Sequence, residues 1–337
     1  MLLTATVDQA IKDRLAEELA ELENRFAAEL LSELPCVNSL VRHVERYRGK
    51  MLRPMLVLVT GMATCGRNQE VTDAHRVVAT VAEMVHMATL VHDDILDGAD
   101  VRRQGATVSH LRGNETAVML GDYLISHAYH LCSSLPSPLP ARIIADATNT
   151  VCEGELLQLA NREKWDLDEP TYFEIIRRKT ASLCGTCCRL GVLLHDRPGD
   201  EARKLYDYGE KLGIAFQIVD DVLDLTGDPG TVGKTLGLDL EKGKLTLPLI
   251  HCLATCPPGQ RRELLALLSK VGARSELTPT DLEQVRVAVN QTDSLSYAHR
   301  RAARLVEQAR EQLACLPDSS ATAMLHQMAQ AVLTRKS

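Results

Sequence analysis

Two stretches of this chain carry paired acids at a spacing that matters chemically: His92-Asp93-Asp94-Ile95-Leu96-Asp97 and Gln217-Ile218-Val219-Asp220-Asp221-Val222-Leu223-Asp224. On a helix, residues four apart project from one face, so Asp93 converges with Asp97 and Asp220 with Asp224. Carboxylates held that close repel each other unless a cation lies between them. An all-oxygen donor set at this spacing suits Mg²⁺, which takes one or two carboxylates and completes its shell with waters and substrate phosphates. A solvated acidic helix end is the simpler reading of either motif alone. Both copies, however, follow strongly apolar runs, Val85 to Val91 and Leu212 to Val219, where an unneutralised acid cluster is costly.

Basic residues accompany the acids. Gly49-Lys50-Met51-Leu52-Arg53-Pro54 brings Lys50 and Arg53 together, with Pro54 suited to the first turn of a helix. Arg102 and Arg103 follow the first acidic motif, Lys179-Thr180 sits in a middle segment, and Lys234 and Lys244 flank Asp239. Each alone reads as surface charge. As a set they supply the fixed cations that two diphosphate groups require.

The elements that must position these groups are helices. Apolar residues three and four apart mark amphipathic helices over 11–31, 54–64, 74–97, 115–133, 141–160, 170–194, 201–224, 246–256, 259–270, 280–290 and 296–316, and again near the C-terminus. Pro35 is expected to close the first of them. Alternating β-branched runs are missing, and the breaks are short, so one all-α domain is expected over 1–337, a helical bundle around a central cavity. Aromatic residues are only 3% and the net charge is −7, which argues against a base-stacking or phosphate-backbone nucleic-acid surface. The ten cysteines form no disulfide framework, and Cys184, Cys187 and Cys188 read as small buried helix residues in a cytoplasmic protein. No apolar run approaches the roughly 20 residues needed to span a bilayer. The terminal Arg335-Lys336 is expected to stay solvated.

Taken together, GKMLRP at 49–54, EMVHMATLVHDDILDGADVRRQG at 83–105, GDYL at 121–124, EGELLQ at 153–158, KTASL at 179–183, GIAFQIVDDVLDLTGD at 213–228 and GKTLGLDLEKGKLTLPLI at 233–250 resemble the trans-isoprenyl diphosphate synthases, or polyprenyl synthetases, of the long-chain bacterial type. The resemblance covers residues from about 40 to 255. It implies an isoprenoid-synthase fold and the head-to-tail joining of isopentenyl diphosphate to an allylic diphosphate, with three Mg²⁺ ions. By resemblance, Asp93, Asp97 and Asp220 hold the metals with Asp94, Asp221 and Asp224 in support. Arg102, Lys179, Lys234 and Lys244 correspond to cations on the allylic diphosphate, and Lys50, Arg53, His86 and Arg103 to the isopentenyl diphosphate pocket. Gln217 and Thr180 correspond to polar groups facing the allylic cation. A homodimer packed through the middle helices is implied as well, with transient membrane contact at product release.

In short-chain relatives a bulky aromatic stands four or five residues before the first motif aspartate. Here those positions are Thr89 and Ala88, both small, so the product is expected to exceed C20 and to fall at C30–C40 for a quinone side chain, with Met84 and Tyr129 as candidate floors of the tunnel. The alternatives are a C15/C20 synthase, a class I terpene cyclase, and a non-catalytic subunit. A cyclase holds no second diphosphate and leaves Lys50, Arg53 and His86 without purpose. A non-catalytic subunit would have lost the aspartate motifs. A ferritin-like di-iron protein needs paired Glu-x-x-His motifs, and only Glu83-x-x-His86 occurs.

Overall fold

The computed structural model describes residues 8–65, 70–103, 105–195, 199–226, 237–272 and 277–335. Among them the chain is helical almost throughout, as the periodicity indicates. The exception is a two-residue hairpin, β1 (Val101–Arg102) against β2 (Gly105–Ala106), which follows the first acidic motif. The chain divides into two compact units.

The first unit comprises residues up to Thr148, Leu183–Gly209 and Gln312–Met328. α1 (Gln9–Glu29) is opened by Asp8, whose carboxylate accepts from the Ala10 N–H, and it buries Ile11, Leu15, Leu22 and Phe26 along one stripe. Pro35 does not close this helix; it opens α2 (Pro35–Val44). A proline costs nothing at the first helical position because its missing N–H has no partner there anyway. α3 (Leu52–Thr64) is buried on all sides from Pro54 onward. α4 (Asp73–Leu96) starts with a reciprocal cap between Thr72 and His75 and packs against α1, α3 and α6. Its His75 accepts from the Thr72 N–H at Nδ1 and donates from Nε2 to Gly191 O at 3.0 Å. α5 (Val108–Arg112), α6 (Asn114–Ser133), the first part of α7 (Leu139–Ala160), α9 (Ser182–Leu193) and the start of α10 (Asp200–Thr226) complete the unit, with the start of α16 (Ser320–Leu333). Cys184, Cys187 and Cys188 are buried on α9, and burial raises all three thiol pKa values, as the inert reading requires.

The second unit comprises Asn149–Ser182, Glu210–Glu311 and the chain from Ala329. It holds the end of α7, α8 (Glu169–Ile176), the end of α10, α11 (Leu238–Glu241), α12 (Leu247–Thr255), α13 (Pro258–Gly272), α14 (Pro279–Gln291) and α15 (Ser294–Gln312). The expected helix over 170–194 is interrupted by one wide π-type turn, Arg177–Ala181, between α8 and α9. No helix among the described residues is long and apolar enough to cross a membrane.

Candidate active site

In the first unit, α4 delivers Asp93 and Asp97 at its carboxyl end, where Asp97 is the capping residue and its N–H bonds Asp93 O at 2.8 Å. This is the negative pole of the helix dipole, the least favourable place for two half-exposed carboxylates unless a cation joins them. Asp94 is only 2% exposed, and Arg102 Nε donates to its Oδ1 at 2.7 Å. Arg102, expected on a diphosphate, is therefore fastened to the acidic motif from β1.

A second cluster gathers Arg48, Arg53 and Arg103 near the buried Glu83. Desolvation raises the Glu83 pKa and the three guanidiniums oppose that shift, Arg53 most strongly. His86 stands among the same cations. Desolvation first, then Arg53, Arg103 and Arg102, holds its pKa well below the ordinary imidazole value, so it is neutral at pH 7. Arg53 Nε is buried with no hydrogen-bond partner among the described residues, an N–H available to an incoming anion. The backbone is bent to make this cluster: Met51 (φ 53°) and Arg103 (φ 49°) occupy the left-handed region, at a cost of roughly 1–2 kcal/mol each. The Arg103 guanidinium lies against Gly49, where a Cβ would come within 2.2 Å of Nη2 and push the side chain aside. Lys50 sits beside it, exposed.

Below the aspartates on α4, Ala88 and Met84 are fully buried, and the Thr89 hydroxyl donates to His86 O at 2.7 Å. Tyr129 is half-buried on α6. From sequence Glu83 enters only as half of a single Glu-x-x-His motif, not as a partner of the arginines around it.

In the second unit, Asp220 and Asp224 lie in the last two turns of α10, again at a negative helix pole. Asp221 is buried and fully engaged: Tyr172 OH donates to Oδ2 at 2.6 Å and Gln217 Nε2 to Oδ1 at 2.8 Å. Thr180 Oγ1 donates to Gln217 Oε1 at 3.0 Å, so Tyr172, Thr180, Gln217 and Asp221 form one hydrogen-bonded set. Asp224 Oδ2 accepts from the Asp239 N–H at 3.2 Å, and desolvation followed by the Asp239 charge raises its pKa to about 7. Desolvation and Asp239 likewise push Asp221 well upward. Burial and the Asp239 carboxylate thus disfavour the charged forms of both acids, which a nearby divalent cation would favour.

Lys179 and Thr180 lie in the π-type turn, a distortion that re-aims side chains relative to an ordinary helix. Lys179 donates to Gln158 Oε1 at 2.9 Å and pairs with Glu155. The turn is met by Gly154, where a Cβ would lie 2.5 Å from the Lys179 backbone nitrogen. The EGELLQ stretch therefore provides a close approach at Gly154 and two partners for Lys179. A cavity of about 90 Å³ is lined by Lys179, Thr180, Gln217, Asp221, Asp239 and Lys244. Lys234 lies outside the described residues.

Arg335 overturns the expectation of a solvated tail. Its guanidinium is 10% exposed, lies 3.5 Å from Asp220 Oδ1, and stacks 3.7 Å over the Phe216 ring. The carbon face of a guanidinium packs on an aromatic ring while its edge pairs with a carboxylate, which draws it out of solvent. Its Nε and Nη1 are buried without hydrogen-bond partners among the described residues.

Among the described residues no three His, Cys, Asp or Glu side chains converge into a closed metal cage. The fit is to a hard cation held by paired carboxylates and completed by waters and phosphate oxygens, as Mg²⁺ is. Residues 35–285 match the polyprenyl synthetase family. The chain is 32% identical over 311 residues to the octaprenyl diphosphate synthase of Escherichia coli (strain K12), covering 92% of this chain and 94% of that protein. The chain belongs to the polyprenyl synthetase family. Heptaprenyl diphosphate synthase component 2 of Geobacillus stearothermophilus is 32% identical to this polyprenyl synthetase, over 95% of this chain and 97% of that one. The polyprenyl synthase of Caulobacter crescentus CB15, solved in complex with calcium and isoprenyl diphosphate, superposes with a TM-score of 0.89 at 30% identity, covering 99% of this chain and all of that one. Family membership carries divalent-metal dependence with it, and the all-α fold is shared.

Proposed function

We propose that this polyprenyl synthetase condenses isopentenyl diphosphate head to tail onto an allylic diphosphate, farnesyl or geranylgeranyl, and releases a product longer than C20, in the C30–C40 range. The observation that carries the reading is the pair of aspartate motifs at negative helix poles, each accompanied by its own cationic set. Asp93, Asp97 and Asp220 are the proposed Mg²⁺ ligands, three ions in all, and Asp94, Asp221 and Asp224 support them. When bound, the metal supplies Lewis-acid stabilisation of the departing diphosphate. Lys179, Lys234, Lys244 and Arg102 hold that diphosphate, while Lys50, Arg53, Arg103 and the neutral His86 hold isopentenyl diphosphate.

The allylic C1–O bond breaks with its electron pair leaving on the diphosphate, the isopentenyl double bond attacks C1, and a proton is lost to the released diphosphate. The Gln217 carbonyl and the Thr180 hydroxyl, locked by their bonds to each other and to Asp221, offer fixed dipoles to the allylic cation. Small Ala88 and Thr89 leave the tail free to grow toward Met84 and Tyr129, and the relatives named as octaprenyl and heptaprenyl synthases support a long product. A homodimer is supported by the exposed apolar Val118 and Met119 on α6, 42% and 65% accessible. The two-component relative makes a partner subunit the second reading. Purified chain, Mg²⁺, radiolabelled isopentenyl diphosphate and either primer should yield chromatographically separable prenyl diphosphates beyond C20. Products ending at C15 or C20 would favour the short-chain alternative, and no incorporation by the chain alone would favour the two-component one.

A further inference from the structure

We propose a second anion site in the first unit, in the cavity between α2 and α5, that takes a phosphate ester. This cavity has a volume of about 300 Å³ and is walled by Arg42, His43, Arg46 and Arg112, with Leu40 and Leu111 among its apolar lining. That volume lies at the small end of ligand pockets. Among the described residues none of the three arginine side chains has a carboxylate partner. Glu45, beside Arg46 in sequence, is paired with Arg48 at 3.2 Å, and Asp100 with His110 at 2.8 Å. The chain as a whole has more acids than bases, 45 against 38, so three exposed arginines lining one pocket are not a by-product of basic composition.

Helix dipoles give a partial structural account. Arg42 lies in the last turn of α2 and Arg112 in the last turn of α5, where cations are favoured. That accounts for each singly; it does not account for Arg46 beyond the end of α2, nor for all three facing one cavity. Three like charges around a shared space repel until an anion enters. Arginine, with a planar fork of donors, is the side chain that matches phosphate oxygens in pairs. The wall is also rigid. His43 Nε2 donates to Ala106 O at 2.8 Å, its ring meets Tyr47 edge-on, and the Tyr47 hydroxyl accepts from the Val108 N–H at 3.1 Å. Leu111, 51% exposed beside the arginines, adds an apolar flank, so the ligand class is a phosphate group, alone or carrying an apolar body.

Two sources share that chemistry, a soluble phosphate or diphosphate and the headgroup of an anionic lipid. The test uses the full chain and the Arg42→Gln/Arg46→Gln/Arg112→Gln variant, both in EDTA. Inorganic diphosphate is titrated calorimetrically, and flotation is run with phosphatidylglycerol-containing and pure phosphatidylcholine vesicles. The expected result is a diphosphate site weakened at least tenfold in the variant, which assigns a soluble ligand, or flotation with anionic vesicles that the variant loses, which assigns the lipid. Removing like charge should also leave the melting temperature of the variant equal or higher without anion. If the triple variant does not melt cooperatively, Arg112→Gln is compared with the unaltered chain in the same way. Identical titrations and identical flotation of the compared chains overturn the proposal.

Discussion

Replacing Ala88 by phenylalanine puts a ring where the growing chain is expected to run. Ala88 lies five residues before Asp93, about 7.5 Å along α4, and Met84 nine residues before it, about 13.5 Å. An isoprene unit is roughly one helix turn in length, about 5 Å. A ring at position 88 therefore stops the tail one to two units past the aspartates, and the product falls from beyond C20 to C15 or shorter; by the same measure a floor at Met84 would stop it after about three units, so a C30–C40 tail must run past Met84. Ala88 is fully buried, so the larger side chain also costs about 1–3 kcal/mol through overpacking. A melting curve separates that cost from the change in product. Radiolabelled isopentenyl diphosphate with a geranyl or farnesyl primer, followed by reversed-phase chromatography, reads the outcome. A cooperatively folded Ala88→Phe enzyme with an unchanged product distribution would refute the tunnel direction.

Three further outcomes are expected. Desolvation lowers the His75 pKa to about 4, below the unfolded value, so its contribution is complete above about pH 6.5 and is lost as pH falls through 4, by up to about 3 kcal/mol. Urea unfolding at pH 7, 5 and 4 should show this acid slope in the native chain and not in His75→Gln, and parallel slopes would contradict the assignment. Gly154→Ala places a Cβ against the Lys179 backbone nitrogen, which cannot swing aside; turnover should fall, with about 1–3 kcal/mol lost in stability, whereas native turnover would show the approach to be loose. Arg335→Ala frees Asp220 from an ion pair that is half-exposed on the acid side. Calorimetric Mg²⁺ affinity without substrate should rise roughly fivefold, from about 1 kcal/mol, and an unchanged affinity would show that the pair does not compete with metal.

The parts legible in the sequence were those set by local periodicity. The stripe from Asp73 to Leu96 and the i, i+4 acids at its end needed nothing outside their own helix. The π-type turn at Arg177–Ala181 was not legible: nothing in its own residues marks it, and Gly154, which packs closely against it, lies more than twenty residues earlier. Pro35 opens a helix where it was expected to close one, because proline suits both positions and only the chain on either side decides. The place of Glu83 in the site depends on Arg48, Arg53 and Arg103, which come from separate segments and which its own helix does not indicate. Arg335 needed Phe216 and Asp220 to draw it out of solvent, a tertiary event that no tail composition encodes.

The most direct test is Mg²⁺-dependent turnover of the Asp93→Ala, Asp220→Ala and double variants, each checked for native melting. Each single change should reduce incorporation of isopentenyl diphosphate by about a hundredfold or more, and the double change should abolish it. Incorporation by the folded double variant within a few-fold of the unaltered chain would contradict the central claim that the two acidic helix ends carry the chemistry.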